Sequence, residues 1–198
     1  LLLHDKERFE KLLNHPKYPV QIVWAGKPYP MDYTAISTFN SLVEESKYYK
    51  NMAVLTGYEL ALSKLMKQGS DLWLNNPRVP REASGTSGMT AAMNGSVNLS
   101  TDDGWIPEFA KHGVNSFVVP KGDYANMSVY EQDNYDLEKL YQILEDEIIP
   151  TYYDNPDQWR KIQQAAMADV KDNFNSDRMA DEYYKQIYNA EILAPVNS

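Results

Sequence analysis

A chain of 198 residues with 43% hydrophobic and 12% aromatic side chains can bury a substantial core, and it reads as one domain-sized unit rather than a disordered segment. Its formal charge of −9 lacks the basic footprint of nonspecific nucleic-acid binding, so no nucleic-acid partner is expected. Without cysteine there are no disulfides or thiolate metal ligands, a composition compatible with the cytoplasm, and no apolar run approaches the roughly 20 residues of a membrane span.

Residues 2–13 carry apolar side chains at helical spacing. The opening Leu1-Leu2-Leu3-His4-Asp5 reads as the middle of a helix, so a piece of a longer chain is expected. Val20-Gln21-Ile22-Val23-Trp24-Ala25 predicts a buried strand that ends at Gly26-Lys27-Pro28-Tyr29-Pro30. A helix over 32–45 follows, with Ile36, Phe39, Leu42 and Val43 on one stripe; then come a strand over 52–56 and a helix over 58–66. Further strands are predicted over 71–74, 96–100 and 116–119, with a turn at Asp102-Asp103-Gly104. Residues 121–134 are polar enough for a surface connection. From Leu137 on the chain reads as helix, in three stretches broken near Pro150-Thr151 and over 173–176.

Strands alternating with helices imply an α/β fold, a Rossmann-like parallel sheet with helices on both faces. Residues 1–134 are expected to form that unit, with helices over 135–198 packing on it. In such sheets ligands sit beyond the carboxyl ends of the strands, so the loops of interest are 26–30, 56–58, 75–88 and 101–110.

The third of these loops is the most informative. Glu82 is followed by five small residues, Ala83 to Ser87, then by Gly88 and a short helix-forming run. Such a loop brings backbone N–H groups close to a ligand, with the positive end of a helix dipole behind them, an arrangement suited to a phosphate or a sugar hydroxyl. Glu82 can accept hydrogen bonds from sugar hydroxyls, or it can pair with Arg78 or Arg81. Thr86 and Ser87 can hold a phosphate, while Ser84 or Thr86 can equally serve as a simple helix cap. Lys27 and Tyr58 lie on the same predicted edge; Asp102 and Asp103 read as turn residues and His112 as structural.

His4, His15 and His112 lack zinc spacing, so no metal site is expected. Walker A and Gly-x-Ser-x-Gly patterns are absent. No residue is assigned as catalytic acid, base or nucleophile.

Glu-Ala-Ser-Gly-Thr-Ser-Gly-Met at 82–89, followed by Ala-Ala-Met-Asn-Gly at 91–95, resembles the cofactor loop of the α-glucan (glycogen, starch, maltodextrin) phosphorylases. The resemblance extends upstream through 25–30, 55–58 and 71–78 and covers about residues 18 to 110. It implies the C-terminal half of a two-domain, B-type glycosyltransferase fold, acting with a missing N-terminal half on α-1,4-glucan and phosphate. On this resemblance Glu82, Ala83, Ser84 and Gly85 bind the transferred glucose. Thr86 and Ser87 contact the phosphate of pyridoxal phosphate, and Tyr58 lies near its ring.

One position departs from the family. The residue after Met89 is the phosphorylase lysine that forms a Schiff base with the cofactor, and here it is Thr90, whose hydroxyl cannot form an imine. A second resemblance, over 112–123, is to nucleotide-sugar-dependent starch and glycogen synthases, which place an acidic residue at the equivalent of position 90. The leading expectation is a phosphorylase-type transferase. A nucleotide-sugar enzyme in the same cleft, where Thr90 could bond a ribose or phosphate oxygen, is the alternative, and a catalytically silent glucan-binding domain is a third. The isolated half is expected to be inactive.

Overall fold

A computed structural model describes residues 1–189. Five short strands, β1 (Ile22–Ala25), β2 (Met52–Leu55), β3 (Leu72–Asn75), β4 (Val97–Thr101) and β5 (Ser116–Val119), alternate with α2 (Tyr33–Ser46), α3 (Leu60–Gly69), α4 (Thr86–Met93) and α5 (Ile106–Phe109). Every ladder is parallel. Ile22 pairs with Met52 between β1 and β2, Leu72 with Val97 between β3 and β4, and Asn98 with Ser116 between β4 and β5. The strands are hydrogen-bonded as a pair, β1-β2, and a triple, β3-β4-β5.

All five residues of β4 are buried, as a parallel strand covered on both faces requires. On one face Val97, Leu99, Phe117 and Val119 pack with Phe9, Leu12 and Leu13 of α1 (Lys6–Leu13) and with Leu140, Tyr141 and Ile162 of the C-terminal helices. A smaller cluster joins Ala92 of α4 and Trp105, Ile106 and Phe109 around α5 to Ala166 and Val170 of α8 (Pro156–Asn173). The second core fixes the helix behind the glycine-rich loop.

Several boundaries differ from the sequence expectation, each for a local reason. Residues 1–5 are not the middle of a helix: Leu2–His4 is a 3₁₀ turn, and α1 starts after Asp5, whose carboxylate accepts the Arg8 N–H at 2.9 Å. The helix expected from Leu137 is α6 (Val129–Ile143), begun eight residues earlier by a capping box in which Ser128 and Glu131 satisfy each other's N–H groups. No break occurs at Pro150. A π-helical turn, Leu144–Ile148, leads into α7 (Ile149–Asp154), where the proline stands in the first turn and its missing N–H is not needed. The chain breaks instead at Asn155, which caps α8, and again before α9 (Ser176–Tyr183). The helix expected beyond 189 lies outside the described residues.

Candidate functional site

The carboxyl ends of β3 and β4 deliver two loops that are built as one unit. Residues 76–85 follow β3 and lead into α4; residues 102–105 follow β4 and lead into α5. Asp103 is only 9% exposed, and its Oδ2 accepts the N–H groups of both Arg81 and Glu82, at 2.9 and 2.8 Å. The Trp105 N–H donates to the Ser84 carbonyl at 2.8 Å, and the Thr101 hydroxyl donates to the Pro77 carbonyl at 2.8 Å. Backbone donors and acceptors that a loop would otherwise leave to water are thus satisfied across the pair.

Two glycines make the approach possible. Gly104 has φ +58°, and a Cβ there would lie 2.5 Å from the Ser84 oxygen and 2.7 Å from Glu82 Cγ. Gly85 occupies the N-cap of α4 with φ +99°, and a Cβ would meet Trp105 Cδ1 at 2.8 Å. Both need the left-handed backbone and the bare Cα.

The Glu82 carboxylate is half-buried, and among the described residues it has no hydrogen-bond or ion-pair partner. The pairing with Arg78 that the sequence leaves open is absent, because Arg78 grips Asp133 of α6 through Nε and Nη2 at 2.6 and 2.7 Å. That hydrogen-bonded pair holds the Asp133 carboxyl below its ordinary range. Neither Ser84 nor Thr86 caps α4, since the cap is Gly85 and it has no side chain to offer. Ala83, Ser84 and Thr86 are exposed, and Ser87 is half-buried. The first-turn N–H groups of α4 have no intrahelical partner by geometry; that of Gly88 turns to the Gly85 carbonyl, and those of Thr86 and Ser87 have no backbone partner among the described residues.

Thr90 stands one turn into α4, half-buried, with its hydroxyl donating to the carbonyls of Thr86 and Ser87 at 3.0 and 3.1 Å. Tyr58 lies between β2 and α3, half-buried; no hydrogen bond or aromatic contact joins it to residues 82–90 among the described residues. Lys27 is exposed on the β1–α2 loop, beside an open cavity lined by Asp32 and Phe39. His112 is a structural tie: its Nδ1 accepts the Val118 N–H at 3.1 Å while Nε2 meets Glu147 at 2.7 Å. Asp103 reads in the sequence as a turn residue, and Trp105 falls in the same 101–110 loop. Their one signal is position, directly after a strand that ends on the ligand edge.

No protein-family model matches the chain. Over 95% of its length it is 43% identical to an uncharacterized protein of Methanocaldococcus jannaschii, 40% to the maltodextrin phosphorylase of Thermococcus litoralis and 36% to the glycogen phosphorylase of Aquifex aeolicus. It spans 34%, 23% and 28% of those proteins, so it corresponds to a part of each. Among solved structures, Anabaena HepE in complex with UDP-glucose superposes with a TM-score of 0.62 at 14% identity, over 93% of this chain and 45% of HepE. At that identity the likeness is one of fold. It supports one Rossmann-like half of a B-type glycosyltransferase architecture, as expected from the sequence.

Proposed function

We propose that this chain, homologous over 95% of its length to one region of the α-glucan phosphorylases, is the Rossmann-like C-terminal half of a retaining α-glucan glycosyltransferase. In this reading the protein that carries it moves glucose between the end of an α-1,4-glucan and inorganic phosphate. The bond from the anomeric carbon to O4 of the next glucose breaks, and a bond from that carbon to a phosphate oxygen forms. The phosphate's proton passes to the released O4. Positive charge that develops on the sugar is offset by the phosphate and by fixed backbone dipoles rather than by a protein nucleophile.

The observation that carries this reading is Glu82, a carboxylate without a partner among the described residues, on a clamped loop at the carboxyl edge of the sheet. Glu82 accepts from sugar hydroxyls, while the backbone of Ala83, Ser84 and Gly85 lies against the same ring. The open N–H groups of Thr86 and Ser87 face a phosphate at the positive end of α4. Tyr58, on the loop after β2, is assigned to a ring ligand on the strength of the family resemblance alone. The other half of the protein completes the cleft, so this half alone is inactive.

Pyridoxal phosphate does not fit here as a covalently held group. Thr90 cannot form an imine, and its hydroxyl proton is already given to the carbonyls of its own helix. No step is assigned to that cofactor. The same observation favours a second reading, a nucleotide-sugar donor in the same cleft, and HepE, of like fold, is solved with UDP-glucose. Thr90 can then still accept a hydrogen bond from a ribose hydroxyl.

Release of glucose 1-phosphate from glycogen and inorganic phosphate by the full-length protein tests the first reading. No release at high enzyme, with and without added pyridoxal phosphate, rejects it. Glucan-dependent release of UDP or ADP supports the second. Retention on glycogen in a native gel with neither activity leaves a silent glucan-binding domain.

A further inference from the structure

We infer that Asp103 is the positioning residue of this site: its buried carboxylate sets where the Glu82 side chain stands, and through it the orientation of the sugar. The inference rests on Glu82 as a sugar ligand and adds the residue that controls it.

The geometry separates this role from that of a turn residue. A turn aspartate bonds to the backbone of its own turn. The Asp103 side chain instead reaches back 21 and 22 residues in sequence and gathers two successive N–H groups, Arg81 and Glu82, on a single oxygen. Its own backbone is fixed at both ends, since its N–H donates to Thr101 at 2.9 Å and its carbonyl accepts from Ile106 at 3.2 Å. Thr101 ends β4, the strand buried at every residue, so the anchor is tied to the sheet's interior.

Two further contacts leave the captured loop one shape. The Trp105 N–H holds the Ser84 carbonyl, and bare Gly104 admits Ser84 and Glu82 Cγ to a distance that any side chain would forbid. Residues 81–84 are therefore moulded on the 103–105 turn. The Glu82 side chain has no hydrogen bond of its own among the described residues, so its placement depends on the backbone that Asp103 holds. Bonds from N–H groups to a buried carboxylate are charge-assisted and stronger than those to a neutral acceptor.

The test is a double-mutant cycle in the full-length protein, with D-glucose as the probe and its affinity measured by calorimetry. Glu82→Gln alone reports on the underlying reading, and an unchanged glucose affinity there rejects Glu82 as a sugar ligand. Given a loss at Glu82, Asp103→Ala is expected to weaken glucose by about tenfold, and Asp103→Ala with Glu82→Gln to be no weaker than the worse single variant. Asp103→Asn, whose amide oxygen can still accept both N–H groups, is expected to recover most of the affinity. Hydrogen exchange at the Arg81 and Glu82 amides should rise in Asp103→Ala and stay slow in Asp103→Asn. Additive losses, or amides that stay protected in Asp103→Ala, overturn the inference. Should Asp103→Ala not fold, a glucose affinity for Asp103→Asn as poor as for Glu82→Gln, with both amides still protected, overturns it instead.

Discussion

Adding one methyl group at Gly104 perturbs the site without replacing any residue proposed to bind ligand. Gly104→Ala faces two costs. An alanine at φ +58° is strained by about 1–2 kcal/mol, and its Cβ would overlap the Ser84 oxygen at 2.5 Å and Glu82 Cγ at 2.7 Å. If the loop could not yield, overpacking would add about 1–3 kcal/mol. Ala83 and Ser84 are exposed, so the loop is free to move outward, and most of the overlap becomes displacement of Glu82. The expected stability loss is thus about 1–2 kcal/mol, tolerable for a domain with a typical 5–15 kcal/mol, while glucose affinity falls by about tenfold. Gly113→Ala is the control, because Gly113 has φ +71° but nothing within 4 Å of a Cβ, and it carries the backbone cost alone. Urea unfolding and glucose titration of the two variants in the full-length protein separate the effects. Equal glucose affinity in Gly104→Ala and Gly113→Ala refutes the reasoning.

Thr90→Lys removes only a hydroxyl bonded to its own helix and introduces a better helix former, so the fold should be unaffected and added pyridoxal phosphate should give an absorbance band that the parent lacks. A stoichiometric band in the parent contradicts this. Asp169 accepts from the Asn115 amide at 2.8 Å and from Lys111 at 3.1 Å, and those bonds lower its pKa in the folded state. A lowered folded pKa contributes stability above the unfolded value, near 4, that is lost as pH falls through the folded value. The parent and Asp169→Asn should therefore differ at pH 7 and converge in acid; a gap that does not change with pH is the contrary result.

The strands were legible because each is a short apolar run closed by a turn signal, and the loop before α4 because its small residues and glycines interrupt both periods. Periodicity alone could not show that α6 starts at Val129 or that the helical path continues through Pro150 into α7. The first depends on a reciprocal pair of side-chain bonds, and the second on one widened turn that puts the proline where no N–H is required. The partner of Arg78 was equally hidden, since it lies 55 residues away in α6. Asp103 looked like a turn residue because its local surroundings are those of a turn; its use is decided by a loop that only the parallel pairing of β3 and β4 brings alongside. Sequence proximity singled out the residues proposed to face a ligand, and tertiary structure showed what holds their loop.

Helix α4 packs through Gly88, Ala91 and Ala92, all buried, whereas Thr90 points some 150° away around the helix by the 100° turn of each residue. None of these three buried residues has a side chain larger than alanine, and Met89 adds a longer, partly buried one from the flank. A substitution at position 90 therefore leaves the seat of the helix as it was. The scaffold behaves like a socket with an exchangeable contact, in which a lysine, a glutamate or a threonine could be tried in turn while the loop at 82–85 stays the same.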